Sequence, residues 1–322
     1  MDTQLLSILA DGEWHSGQAL AERAGVSRTA IWNQVQKLEQ IGIEIEAVTS
    51  RGYRISGGLD LLYREPLWQR LLPEVRDLIG DLCLESRIDS TNRLCLERLA
   101  QTTSGAVVVT AEQQFAGRGR RGRAWISPYA RNIYLSIGWT MQSGASSLQG
   151  LSLAAGVAVH RALKAFGVDT MGLKWPNDLV VGRRKLGGIL IELSGDIAGP
   201  CSVVLGLGLN VNMPAYAQSS IEQAWTDLYQ QGVNASRAEL LAALLNELVP
   251  MLSRWEHEQF NAWRSEWLKL DAYAGKAVSI ISGTSTVSGR ACGVDSNGAI
   301  MIETPAGIQT FYGGEVSLRL TE

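Results

Sequence analysis

Apolar positions recur at helical spacing through the first forty residues. Leu5, Leu6 and Leu9 make a short face that Gly12 ends, and Thr3 is placed to cap it. Ser16 and Gly25 bracket a second helix. Ser27 opens a longer third one, in which Ile31, Val35 and Leu38 share a face that stops before Gly42. The gap Gly25-Val26-Ser27 has the length that a helix-turn-helix needs. Beyond it, Ile43-Glu44-Ile45-Glu46-Ala47 alternates like a half-buried strand, Thr49-Ser50-Arg51-Gly52 turns, and Tyr53-Arg54-Ile55 returns. Three helices followed by a hairpin predict a winged helix.

Gly57-Gly58, Pro66 and Pro73 mark residues 58–80 as a connector. From about 82 to 270 the pattern mixes strands and helices. Val107–Thr110 and Asn132–Trp139 read as strands by their β-branched and aromatic content. Gly150–Phe166 reads as a core helix, and Leu186–Leu193 and Cys201–Val211 as apolar strands containing glycine. Strands dominate and follow one another, so an antiparallel or mixed sheet fits better than a repeated βαβ pattern. Ser236–Trp267 reads as one long helix with Ser236 as its cap. From Gly275 onward five short strands alternate with glycine turns, which predicts a small SH3-like barrel. The expected class is α+β in three units: 1–62 (winged helix), 63–272 (mixed-sheet central domain) and 273–322 (barrel).

Composition narrows the class. Hydrophobic residues make up 46% and charged ones 19%, enough apolar material for real cores in 322 residues. The start of the chain is polar and acidic, and no apolar stretch reaches spanning length, so a cytoplasmic protein without a membrane segment is expected. Cys83, Cys95, Cys201 and Cys292 are scattered, with no metal-ligand spacing, and read as reduced thiols; no structural metal site is expected.

The net charge of −3 does not advertise a nucleic-acid binder. Its distribution says more. The third helix carries Arg28, Thr29, Asn33, Gln36 and Lys37, types that hydrogen-bond base edges or phosphates, and Arg51 and Arg54 sit on the wing. Trp32 lies among them, too bulky for a routine base contact, and is assigned to packing within the domain. Five cations against seven anions leave residues 1–57 at −2, so non-specific affinity is weak and specific binding needs two copies on a palindromic site. A protein-docking module is the alternative use of the same fold.

Residues Gly117–Arg123 read GRGRRGR. The string spells the dinucleotide fingerprint, but Ala124-Trp125-Ile126-Ser127-Pro128 follows where a helix must open. Glycine lets the chain approach a ligand closely, and arginine grips phosphate or carboxylate with two hydrogen bonds. A phosphate-bearing small molecule is the better fit. Lys174-Trp175-Pro176-Asn177-Asp178 is a turn able to touch phosphates, and Lys185 leads into the strand at Leu186-Gly187-Gly188. Taken alone, Lys185 is either a snorkelling edge residue or a point charge aimed into a pocket. Ser90-Thr91-Asn92 reads as a helix cap compatible with a ligand-facing hydroxyl.

Together these motifs resemble the biotin–protein ligases, specifically the bifunctional kind that also represses the biotin operon. The lipoyl ligases and octanoyltransferases share the catalytic fold but lack the arginine-glycine loop. The resemblance implies that biotin and ATP, with Mg²⁺, give biotinyl-adenylate, and that the biotinyl group passes to a lysine of the biotin carboxyl carrier protein. It implies biotin contacts from Ser90, Thr91, Asn92, Gln114, Arg118, Gly119, Arg120 and Lys185, with Lys185 and Arg120 catalytic. Asn177, Asn210 and Trp225 are implied nucleotide contacts, and the loop Pro214–Gln223 is expected to be mobile until adenylate orders it. Arg28, Thr29, Asn33, Gln36, Lys37 and Arg51 are implied contacts to operator DNA, presented by a homodimer joined through the central sheet. A transcription regulator that senses the adenylate without turnover, and a lipoyl-type ligase, are the competing readings.

Overall fold

The computed structural model describes residues 3–195, 199–283, 285–314 and 316–321. The first unit comprises α1 (Thr3–Leu9), α2 (Gly17–Ala24), α3 (Arg28–Gln40), β1 (Glu46–Val48) and β2 (Gly52–Arg54). Ser16 and Ser27 cap α2 and α3, each hydroxyl accepting a backbone N–H three residues on, and Gly25 ends α2 in the left-handed region. The side chain of Thr3 lies outside the described residues. Leu5, Leu9, Leu20, Ile31, Val35 and Leu38 form the core. Tyr129 and Ala130 of the next unit close that core from below, so the winged helix is seated on the catalytic domain.

The connector differs from its reading as a plain linker. It holds α4 (Arg64–Arg70) and α5 (Pro73–Leu78), and Leu67, Leu71 and Val75 are buried in the main core. Pro73 starts α5 instead of breaking the chain, because a helix's first residue needs no N–H partner.

The catalytic unit contains β3 (Ile79–Glu85), α6 (Thr91–Leu99), β4 (Ala106–Ala111), β5 (Ile133–Met141), α7 (Leu151–Lys164), β6 (Met171–Lys174), β7 (Asp178–Val181), β8 (Arg184–Gly195), β9 (Cys201–Leu209), α8 (Arg237–Glu258) and α9 (Asn261–Leu270). Its sheet runs β3-β4-β5-β9-β8-β7-β6. Only the β3–β4 pair is parallel, which makes the sheet mixed. Both faces are buried: Cys95 and Leu99 of α6 pack on Val107 and Val109, while Val108, Ile133 and Leu135 belong to the main core on the α7–α8 side. The expected long helix is two, because Gln259 turns to a φ of 51°. Pro250 sits inside α8 without ending it.

Ser236 and Glu239 form a reciprocal capping box at the start of α8. Ser236→Ala is expected to remove about 1 kcal/mol and lower the calorimetric midpoint by about 2–4 °C. An unchanged midpoint would show that tertiary packing alone holds this helix end.

The third unit is β10 (Ala277–Ser282), β11 (Ser285–Val294), β12 (Ile300–Thr304), β13 (Gly307–Phe311) and β14 (Val316–Leu320), an antiparallel sheet ordered β13-β12-β11-β10-β14. Val278, Ile280, Ile300 and Ile302 merge its interior with the main core.

Arg237 joins the first two units. It is 2% exposed and ion-pairs with Glu112. Its Nε donates to the Asn132 carbonyl at 2.9 Å and its Nη1 to the Asp60 carbonyl at 2.7 Å. The other Glu112 oxygen accepts the Leu62 N–H at 2.6 Å. A buried ion pair left with one member is strongly destabilising, so this joint is either complete or broken. Residues 60–62 are therefore bolted to the catalytic core.

Candidate active site and recognition helix

A cleft of about 940 Å³ opens along the sheet between the arginine loop, the β6–β7 turn and β14. Ser90, Thr91, Asn92, Gln114, Arg118, Gly119, Arg120, Asn177, Lys185, Asn210 and Trp225 all line it. These positions span more than a third of the chain, and folding brings them to one surface. Four cysteines lie elsewhere, and all are unpaired. Burial raises the Cys95 thiol to about 12, which leaves it unreactive.

One end of the cleft is a buried polar chain. Gln114 Oε1 accepts from the Thr91 backbone N–H at 2.8 Å and from its hydroxyl at 3.0 Å. Ser136 Oγ lies 2.7 Å from Thr91 Oγ1 and 2.6 Å from Asn92 Oδ1. The Asn92 amide donates to Glu192 at 2.6 Å. Asn92 fits against β9 because residue 206 is glycine; a Cβ there would come within 2.3 Å of Asn92 Oδ1. Ser90 occupies the cap position of α6, yet its hydroxyl makes no capping bond. With Gln114 held through its oxygen, its amide N–H groups remain as donors.

The middle of the cleft is set by a bulge. Leu179 pairs with Gly187 but Val180 pairs with Lys185, so Leu186 is an extra residue in β8. The Lys185 amine lies 2.6 Å from Asp178 Oδ1 and 5.6 Å from the centre of the Trp125 ring. Lys174 stands 3.7 Å from the other Asp178 oxygen. Burial, reinforced by neighbouring Lys185, lowers the Lys174 amine from its usual value, while Asp178 opposes the shift. The Lys185 backbone pairs with the segment carrying Trp225: its N–H donates to the Ala224 carbonyl, and its carbonyl accepts the Thr226 N–H, both at 2.9 Å. Asn210 donates to the Thr226 carbonyl at 3.0 Å. Its amide nitrogen is thus committed to holding the Trp225 segment.

The arginine loop is folded. Gly119 N donates to the Arg123 carbonyl at 2.7 Å, and Trp125 N to the Gly117 carbonyl at 2.9 Å. Arg121 takes a φ of 60°, a conformation unusual for a residue with a side chain. Arg120 donates to Asn177 Oδ1 at 3.2 Å and to the Gly314 carbonyl, and Arg121 to Ser317 Oγ at 3.2 Å. The barrel therefore supports the loop, a contact between segments nearly 200 residues apart. Burial, with Arg121 and Arg123 nearby, lowers Arg120 from its usual value while Asp178 opposes it. Lining the cleft, Arg118, Arg120, Arg121, Arg123, Lys174, Lys185 and Arg319 face only Asp178 and Glu222 as anions. Such an excess favours a polyanionic ligand.

Sequence reasoning missed Ser136, Glu192 and the barrel strand as site elements. Ser136 had a visible signal, a small hydroxyl set between Leu135 and Ile137 in a strongly apolar strand. Asp178 was read as a turn residue; it is the counter-ion of Lys185.

The DNA candidates lie apart from the cleft. Arg28, Thr29, Asn33 and Lys37 are exposed on α3, whose Ile31, Val35 and Leu38 are buried. Gln36 is half-buried and donates to Glu39 at 2.7 Å. Arg51 and Arg54 stack on the Trp14 ring at 4.7 and 4.8 Å, and Arg54 pairs with Glu46. Trp32 is not packed within the domain as expected: it is 53% exposed.

Among the described residues, no helix is long and apolar enough to cross a membrane. Family models match an HTH domain at residues 2–54, the biotin/lipoate A/B protein ligase family at 84–210 and the biotin protein ligase C-terminal domain at 273–319. A solved biotin protein ligase from Aquifex aeolicus, in complex with biotin and ATP, superimposes with a TM-score of 0.62 at 28% identity, covering 75% of this chain and 99% of that one. The biotin–[acetyl-CoA-carboxylase] ligase of Paracoccus denitrificans is 35% identical over 72% of this chain and 98% of its own length. The bifunctional ligase/repressor BirA of Salmonella typhimurium is 38% identical, and that of Escherichia coli 37%, each over 99% of this chain and 97% of the relative. With that identity along its whole length, the chain belongs to the bifunctional ligase/repressor BirA family.

Proposed function

We propose that this chain joins biotin to ATP and transfers the biotinyl group to a lysine of the biotin carboxyl carrier protein, and that its adenylate-bound homodimer represses the biotin biosynthesis operon. The observation that carries the first part is the convergence of the implied ligand residues on one cation-lined cleft. In the first step a carboxylate oxygen of biotin attacks the α-phosphorus, the bond to the bridging oxygen breaks, and pyrophosphate leaves. In the second, the carrier's lysine amine attacks the acyl carbon of the mixed anhydride, AMP leaves, and the amine loses a proton.

Each residue takes a role that its surroundings support. Gln114, held by Thr91, offers donors to the ureido carbonyl, and the Ser90 hydroxyl, free of capping duty, completes that end. A pocket of this kind rejects acids without a ureido group, because buried groups left unpaired cost about 1–3 kcal/mol each. Lys185 places its charge beside the carboxylate and then the α-phosphate. Trp225 packs on the adenine, and Asn210 acts behind it as a positioning residue. Asn177 orients Arg120. Arg118 and Gly119 close the loop over the acyl chain.

The described residues hold no cluster of three or more His, Cys, Asp or Glu able to cage a metal ion. Mg²⁺ would arrive on the triphosphate, held by phosphates, water and one or two carboxylates. Asp178 and Glu222 are the carboxylates lining the cleft where such a complex would sit.

The test is ATP–pyrophosphate exchange with competing acids. Exchange that depends on biotin and is not supported by lipoate is expected. Tight biotin binding without exchange would make the protein a sensor, and exchange with lipoate would make it a lipoyl-type ligase.

A further inference from the structure

Trp32 plays no part in the cleft, and its indole is 53% exposed. It lies on α3, one turn beyond Arg28 and one turn before Gln36, at the flank of the face that buries Ile31, Val35 and Leu38. Arg28, Thr29, Trp32, Asn33 and Lys37 are all exposed on α3, with Trp32 one turn from Arg28 and next to Asn33. A single exposed apolar residue ordinarily needs no explanation. Here the position gives one: this is the second helix of a helix-turn-helix, whose first turns face base edges.

The neighbours select the occupant. A protein partner with an apolar face would meet one indole surrounded by a cation, an amide and a hydroxyl. Duplex DNA meets cations and hydrogen-bonding groups suited to phosphates and base edges, and an exposed ring among them would enter the groove with them. The major groove offers one apolar feature on its base edges, the C5-methyl of thymine. We infer that Trp32 is a specificity-determining residue that reads a thymine methyl group in each half-site. The inference rests on the repressor half of the proposed function.

The test uses full-length protein with biotin and ATP. Binding sites are first selected from a randomised duplex library. Each thymine of the selected site is then replaced in turn by deoxyuridine, which removes the methyl and leaves base pairing intact. Wild-type protein is expected to lose about fourfold in affinity per half-site at one thymine position, the worth of one buried methyl. Trp32→Ala is expected to be insensitive to the replacement at that position, and Trp32→Phe to keep part of the sensitivity. Pyrophosphate exchange by the two variants, unchanged from wild type, checks that they are folded. Equal sensitivity of wild type and Trp32→Ala at every thymine overturns the inference and leaves the repressor reading standing. If wild-type protein enriches no sequence at all, the repressor reading itself fails and the inference falls with it.

Discussion

Replacing Lys185 by alanine is expected to lower biotin-dependent pyrophosphate exchange by about 10²–10³-fold, the usual loss when one preorganised donor to a developing charge is removed. The amine sits at a strand bulge, 2.6 Å from Asp178 and beside the Trp125 ring. A bulge fixes a side chain more firmly than a loop, so the charge needs no reorganisation as phosphorus is attacked. Two anions must also approach each other in the first step, and Lys185 offsets that repulsion. Without it, Asp178 keeps Lys174 at 3.7 Å and the more distant Arg120, and adds negative charge where the step least tolerates it. Supplied biotinyl-adenylate should still bind, because the arginine loop and the Gln114–Thr91 pair remain. Exchange within tenfold of wild type would return Lys185 to the role of an edge residue covering apolar surface.

The second large effect is expected at Arg120. Arg120→Gly should speed adenylate dissociation by about 10–100-fold, the worth of one or two charge-assisted hydrogen bonds. Escaped mixed anhydride acylates amines in solution, so lysines of bystander proteins become labelled. The guanidinium is anchored by Asn177 and by carbonyls of the barrel, which aims it across the cleft mouth. Glycine removes the charge and loosens a loop whose next residue already holds a φ of 60°. Mass spectrometry of a mixture with bystander proteins reads the outcome. Labelling confined to the carrier protein would remove Arg120 from the retention of adenylate.

Much of this architecture was legible where glycine punctuates short elements. The winged helix has Gly12, Gly25 and Gly42 at its turns, and the barrel has Gly283, Gly298, Gly307 and Gly314. Elements without such marks were lost. The strand Ile79–Glu85 straddles the end of the 58–80 connector and carries two acidic residues in seven positions, so no strand was assigned there. The break at Gln259 has neither glycine nor proline beside it, while Pro250 nearby breaks nothing. In the cleft, residue types on short motifs were readable: the arginine loop, Lys185 and the cap before α6. Their partners were not. The link from Asn92 to Glu192 crosses 100 residues, and that from Arg120 to the barrel nearly 200. No local pattern encodes such pairs; tertiary packing does.

The Arg237–Glu112 joint has a consequence for DNA search. A reading head on a loose tether can twist to meet half-sites set at several spacings. Residues 60–62 act instead as a strut, with the head seated on Tyr129 and Ala130. In a twofold dimer the two heads would stand at one fixed distance and phase. One inserted base pair turns the second half-site by about 34–36°. A strut cannot follow that rotation, so the spacing between half-sites is itself part of the sequence such a dimer recognises.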